Sequence, residues 1–212
     1  DSNRPIMTRK KKPSASRKTP MEIGVVQKDW RGRIRMALIY PNRYQAGMAN
    51  LGFQQVYRIV NSSDAFVCER VFLPEPGDRL LSVETCRPLS DFDILAFSLS
   101  FENDYLNILR ILEMAGIPFL SVDRSNRHPL LMAGGVACML NPEPVAPFID
   151  CFLIGEAEAV LPSFMAAYQS KRRRNLLLET LAGEIPGIYI PALYTVCLLY
   201  TSPSPRDRTR SR

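Results

Sequence analysis

Phe92-Asp-Ile-Leu-Ala-Phe-Ser-Leu-Ser100 is nearly continuous apolar sequence, bounded by Asp91 and Glu102. A strand that is apolar on both of its alternating faces must be covered on both, and a parallel sheet flanked by helices does this. The stretch is therefore expected to be a central strand. Upstream, Met36 to Tyr40 reads as a buried strand stopped by Pro41. A polar turn follows, then an amphipathic helix carrying Met48, Leu51, Val56, Ile59 and Val60 at helical spacing. Phe66 to Leu73 alternates into another strand, closed by Pro74-Glu-Pro-Gly77, and Leu80 to Thr85 reads as a short extra strand or a turn.

Downstream of the central strand, Asn103 is placed to cap a helix whose apolar face is Tyr105, Ile108, Leu109, Leu112 and Ala115, with Gly116 and Pro118 as its stop. Leu130 to Ala133 is the next strand, ended by Gly134-Gly135, and Cys151 to Ile154 the last central one, ended by Gly155. Val160, Leu161, Phe164, Met165 and Tyr168 then mark a helix, Leu176 to Leu181 another, and Ile185 to Pro191 a short exit strand. Ile23 to Trp30 is a lead-in whose tryptophan caps an edge of the core. Strand alternating with helix at this rhythm predicts an α/β fold with a doubly wound, mostly parallel sheet, Rossmann-like or flavodoxin-like. Right-handed crossovers would gather the loops after Tyr40, Ser98, Ala133 and Ile154 along one edge.

Charge is unevenly spread. The total is +6, but residues 1–20 hold seven Lys/Arg against one Asp, and residues 197–212 four Arg against one Asp. The two ends thus carry +6 and +3, which leaves −3 for residues 21–196. The basic arm of residues 1–18 is too rich in Pro, Ser and Arg to pack a core, is expected to be disordered, and is a possible nucleic-acid arm. Cys197 to Asp207 matches, letter for letter, the translation of a transposase adapter used in sequencing libraries, so 197–212 is expected to be foreign and 19–196 to be the domain. The five cysteines show no Cys-x-x-Cys spacing and read as structural thiols of a cytoplasmic protein. No apolar run approaches the ~18 residues of a membrane span, and no secretory signal is visible.

Familiar catalytic patterns fail on inspection. Gly47-x-x-x-x-Gly52 has the outline of a phosphate loop, but Phe53 and Gln54 stand where Lys and Ser/Thr would hold phosphate and magnesium. No Gly-x-Gly-x-x-Gly follows a strand. The one histidine, His128, lies in a polar loop and has no evident triad partner. Asp91 and Asp93 read as turn chemistry at the opposite edge. What remains lies in the loops at the strands' carboxyl ends. Asn42 to Gly47 leaves the first strand, and Ser98 and Ser100 are small hydroxyls where a flat ligand can lie. Gly134-Gly135 lets a backbone approach closely, to a ligand or to the adjacent helix. Glu156 and Glu158 open a helix, where the dipole favours them whatever the function.

Pro41-x-x-Tyr44-x-x-Gly-Met-Ala-Asn-Leu-Gly52, Arg87-Pro-Leu-x-x-Phe-Asp-Ile-Leu95, Gly134-Gly135, Asn141-Pro-Glu-Pro144, Ile154-Gly-Glu-Ala-Glu158 and Ile185-Pro-Gly-Ile-Tyr189 follow in order within a match that runs from about Lys18 to Val196. The set resembles the N-terminal cobalamin-binding-like domain of a family of bacterial radical S-adenosylmethionine (radical SAM) proteins. The resemblance implies a cobalamin-binding-domain type of sheet with Asn42, Tyr44, Gly47, Ser98, Ser100, Gly134, Gly135 and Glu156 as candidate cofactor-binding residues. True cobalamin domains carry Asp-x-His-x-x-Gly in the first loop. This chain has Asn42-Arg43-Tyr44-Gln45-Ala46-Gly47, and a neutral phenol is a poor cobalt ligand. Binding of cobalamin without a protein ligand, and a domain that keeps the fold but has lost the cofactor, both remain open.

The resemblance places the chemistry downstream, in a barrel whose Cys-x-x-x-Cys-x-x-Cys holds a 4Fe-4S cluster that cleaves S-adenosylmethionine. That barrel is the expected partner, and the residues here are expected to have no turnover alone. The rival expectations are an interaction module of the same fold that docks another domain or an RNA, and a flavodoxin-like small-ligand enzyme.

Overall fold

The computed structural model describes residues 22, 24–170 and 174–194. The basic arm, most of the cation run Lys171 to Arg174, and the adapter-like tail lie outside them. The strands are β1 (Ile34–Tyr40), β2 (Phe66–Phe72), β3 (Ile94–Ser98), β4 (Leu130–Gly134), β5 (Cys151–Leu153) and β6 (Ile188–Tyr189). They form one sheet in the order β2-β1-β3-β4-β5-β6, with every neighbouring pair parallel except β5 and β6. Helices α1 (Tyr44–Met48), α2 (Leu51–Ser62), α3 (Tyr105–Ala115), α4 (Val136–Leu140), α5 (Ala157–Ser170) and α6 (Arg174–Glu184) complete it. This is the doubly wound α/β arrangement the apolar central strand called for.

Strand alternation explains the two cores. Met36, Leu38 and Tyr40 of β1 face a core shared with Phe53 and Val60 of α2, Leu161 and Phe164 of α5, and Leu177 and Leu181 of α6. Ala37 and Ile39 face the other core, with Ile108, Ile111 and Leu112 of α3. Phe53 is fully buried and meets Tyr40 and Phe72 with ring centroids 5.6 and 5.4 Å away. A phenyl group removed from water in this way contributes about 1.5 to 3 kcal/mol, enough to fasten α2 to the sheet edge.

The edge strand β2 holds Glu69 and Arg70, yet every residue in it is buried. Leu80 to Thr85 is the reason: it is a turn rather than a strand, and it covers that edge. The Val83 N–H donates to the Arg70 carbonyl at 2.8 Å, and Glu84 accepts from the Arg70 backbone N–H and Nε at 2.7 and 2.6 Å. Glu22 takes a further bond from Arg70 Nη1 at 2.6 Å, and the Arg70 guanidinium lies over the Tyr57 ring. An exposed parallel edge would invite pairing with another chain, and the covering turn removes that template. Trp30 lies against Phe92 and donates to Glu69 at 2.6 Å, at the margin of the second core.

Two local expectations need correction. The polar turn after β1 is shorter than Asn42 to Gly47, because Tyr44–Met48 already forms α1 and Asn50 then starts α2. Asn103 is exposed in a 3-10 turn of Glu102–Asp104 and caps nothing; the cap position falls on Asp104. Gly116 does end α3, in the left-handed region at φ 65°, with the Ile117 N–H returning to the Leu112 carbonyl. Among the described residues no helix is long and apolar enough to cross a membrane. Cys68, Cys138 and Cys151 are buried and Cys86 is exposed, all of them free thiols. Burial pushes the Cys138 thiol up to about 12 and holds those of Cys68 and Cys151 well above their usual value.

A candidate ligand cavity at the carboxyl edge of the sheet

The parallel strands deliver their carboxyl ends to one edge, and there the connections part. The β1 connection leads to α2 on one face, whereas the β3 connection leads to α3 on the other. Such a switch point leaves a crevice. Here side chains stitch it. Asn50 accepts from the Phe53 N–H at 2.8 Å as the cap of α2, and its amide donates to Ser100 Oγ at 2.9 Å. Asn42 donates to Asp104 at 2.8 Å, and Asn107 donates to the Pro41 carbonyl at 2.8 Å.

Beside the stitched crevice lies a cavity of about 350 Å³ between α2 and α5. Its floor is apolar, built from Met36, Leu38, Ala96, Met132 and Leu153. Gln55 and Val56 of α2 form one wall, and Glu158 and Leu161 of α5 the other. Ser98, Ser100, Gly134 and Gly135 form the lip, joined by Val136 and Met139 of α4. An apolar enclosure with a few convergent polar groups is the usual form of a small-ligand site, and this volume is at the small end of the range.

The sequence candidates divide cleanly. Ser98, Ser100, Gly134 and Gly135 line the cavity, while Asn42, Tyr44, Gly47 and Glu156 do not. Tyr44 packs on Phe72 at 5.1 Å between ring centroids and donates its hydroxyl to Glu22. Burial, and then that bond to a carboxylate, push its phenol up to about 12, so it stays neutral. Gly47 is buried, and a Cβ there would stand 2.4 Å from the Phe72 ring, so its small size serves packing. Glu156 is exposed at the start of α5, where its carbonyl accepts from the Ala159 and Val160 N–H groups. Asn42 serves the stitch to Asp104.

The glycine pair packs against the ends of the neighbouring strands. The Gly134 carbonyl accepts from the Leu99 N–H at 2.8 Å, and the Leu99 carbonyl accepts from the Ala137 N–H at 3.1 Å. A Cβ on Gly134 would stand 3.3 Å from the Leu153 carbonyl oxygen, and one on Gly135 only 2.4 Å from that of Leu99. Sequence reasoning missed Asn50 and Gln55. The first was detectable, since Asn directly before an amphipathic helix is a capping signal. Gln55 carried none, because an amide one turn into a helix points anywhere until the neighbouring helix is placed.

Asp104 is buried, and its second carboxylate oxygen has no partner among the described residues. Loss of hydration raises its carboxyl above the ordinary range, partly offset by the Asn42 bond. The folded protein therefore holds this proton to higher pH than the unfolded chain does. The resulting stabilisation is complete below the unfolded carboxylate value of about 4 and is lost as pH rises through the raised one. Asp104→Asn keeps the shape without the buried charge. We expect it to melt higher than the wild type at pH 7, with the gain vanishing by about pH 4; an equal gain at both values would mean that the charge is not responsible.

The chain is a doubly wound α/β domain with a cavity at the carboxyl edge of its sheet. The family model for the N-terminal region of radical SAM proteins matches residues 52–191, and the chain belongs to that family. It is also similar to an uncharacterized protein of Methanocaldococcus jannaschii, 30% identical over 129 residues, which cover 58% of this chain and 24% of the relative. The chain thus spans about a quarter of the length of the curated relative it matches. No solved structure matches it.

Proposed function

We propose that this chain is the accessory N-terminal domain of a radical SAM iron-sulfur enzyme and that the cavity between α2 and α5 holds one end of a cobalamin bound without a protein ligand to cobalt. The observation that carries the reading is the cavity itself. Its apolar floor suits a flat heteroaromatic group, and the Gly134-Gly135 backbone lines its lip. The Ser98 and Ser100 hydroxyls and the Glu158 carboxylate are placed to orient polar substituents at the lip. Tyr44, at the position of the lower ligand, is tied to Glu22 and does not line the cavity. When bound, cobalamin would supply group transfer at cobalt to a reaction begun by a radical in the downstream domain.

The partner in this reading is that downstream domain. Val136 and Met139 line the cavity and are largely exposed, and Leu51, Phe101 and Leu140, next in sequence to the lining residues Asn50, Ser100 and Met139, are 80%, 65% and 75% exposed. Apolar side chains collected at one place on a surface favour contact with another body. They suit a domain of the same protein closing over the cavity.

The test is retention of hydroxocobalamin on gel filtration, followed by its visible spectrum. The protein is expected to carry the chromophore, with no spectral sign of an imidazole ligand. Ser98→Phe, which fills the lip, should reduce retention at least about tenfold. No retention by the wild type would sink the cofactor part of the reading and leave a domain that keeps only the fold.

A further inference from the structure

At the opposite edge of the sheet, where the strands begin, lies a second and polar cleft of about 180 Å³. Arg35, Arg127, Arg174 and His128 line it, with Asp93 and Ser90. Three guanidinium groups face one carboxylate, giving the lining a charge of +2; Asp150, which Arg174 also meets, is matched by Arg124. This surplus sits within a domain whose overall balance is negative, so it is a local concentration of charge rather than a general basic surface.

Two of the three guanidinium groups are held in place. Arg35 gives Nε and Nη2 to Asp93 at 2.8 and 2.6 Å, and its Nη1 has no partner among the described residues. Arg174 gives Nη1 to the Ser125 and His128 carbonyls and Nη2 to Pro129 and Asp150, which leaves Nε without a partner among the described residues. The Arg127 guanidinium makes no hydrogen bond or ion pair to any described residue. His128 Nδ1 accepts the Ser125 N–H at 3.0 Å, so in the neutral ring the proton sits on Nε2 as a further donor. Arg174 also gives its backbone N–H to Asn126 Oδ1 at 3.2 Å. In the sequence, Lys171, Arg172 and Arg173 come directly before Arg174.

Fixed guanidinium forks with spare donors, an imidazole N–H and a net positive lining match tetrahedral oxyanions better than carboxylates or neutral ligands. We propose that this cleft binds a phosphate group, carried by a small phosphate ester or by a nucleic-acid backbone. The site is independent of the cavity reading, since it lies on the other edge of the sheet and shares no residue with it.

His128 is the sole histidine of the chain, so in untagged protein its ring-proton resonances report on this cleft alone. Titration at low salt with inorganic phosphate, with a 5′-mononucleotide and with an RNA oligomer lacking terminal phosphates should move those resonances saturably in at least one case. Saturation at lower concentration by the mononucleotide would identify a small ester as the source. Saturation at lower concentration by the oligomer, with steep loss on adding salt, would identify a nucleic-acid backbone. Arg127→Glu alters an exposed side chain with no partner among the described residues, so folding and melting should be unchanged while affinity falls at least about tenfold. Unmoved His128 resonances with all three, or an Arg127→Glu protein that binds as tightly as the wild type, would overturn the assignment.

Discussion

Gly135→Ala is expected to lower the stability of the domain by roughly 3 to 5 kcal/mol, a large part of what a domain of this size possesses. Two costs add. At φ 110° the backbone sits in a region that residues with a Cβ avoid, and the new Cβ would stand 2.4 Å from the Leu99 carbonyl oxygen. That oxygen cannot retreat freely, because it accepts the Ala137 N–H, while the Leu99 N–H is held by the Gly134 carbonyl. Gly77→Ala provides the comparison: its φ is 89°, but a Cβ there meets nothing within 4 Å, so it carries backbone strain alone, about 1 to 2 kcal/mol. Urea denaturation of the two variants measures the difference. If both lose the same amount, close approach to Leu99 is not what requires glycine at 135.

The second large effect is expected at Asp150. Its carboxylate accepts the Leu131 N–H at 2.7 Å and Arg124 Nη2 at 3.1 Å, and it also pairs with Arg174. The side chains of Arg124 and Asp150 are 0% and 2% exposed. Asp150→Ala would leave the Arg124 guanidinium, whose Nε already lacks a partner, as an uncompensated charge in the interior. Removing one member of a buried pair typically costs about 3 to 5 kcal/mol. The double variant Asp150→Ala with Arg124→Met should recover a good part of that loss, because the stranded charge goes with its partner. Equal instability of the single and double variants would place the cost in the Leu131 hydrogen bond instead.

Both predictions concern positions that sequence reasoning saw poorly. The Gly134-Gly135 pair was visible as a place of close approach, but the approaching group was left between a ligand and a helix. It is the backbone of Leu99 and Leu153, brought there by strand pairing of β3 and β5 with β4. Asp150 stood unnoticed in front of an apolar strand. Its partners are 26 residues upstream and 24 downstream, and no local pattern connects them. Arg70 is similar: a charge in the middle of an apolar strand looks solvent-facing until the turn at Glu84 covers it. His128, read as a loop residue with no evident partner, lines one cleft with Arg35 and Arg174 because the starts of β1 and β4 lie at the same edge.

The candidate cavity was half legible. Ser98, Ser100 and the glycine pair follow directly from strand ends, since a parallel sheet must collect its carboxyl termini on one edge. Tyr44 and Gly47 occupy the right loop in sequence, yet one packs beneath Phe72 and Glu22 and the other is closed in by Phe72 and Tyr40. Which side of a loop faces a cavity depends on where the next helix comes to rest, and α1 turns this loop toward β2.

By itself the sequence determined the architecture: continuous apolar strands bounded by turn residues, alternating with amphipathic helices, admit little besides a doubly wound parallel sheet. Hydrophobic periodicity is a local property, and it is written in the order of the residues. Tertiary structure alone decided which polar groups became buried partners and where space was left between α2 and α5. It also decided which charges met at the opposite edge. Those outcomes depend on distances between segments far apart in the chain, and only the packed sheet sets them.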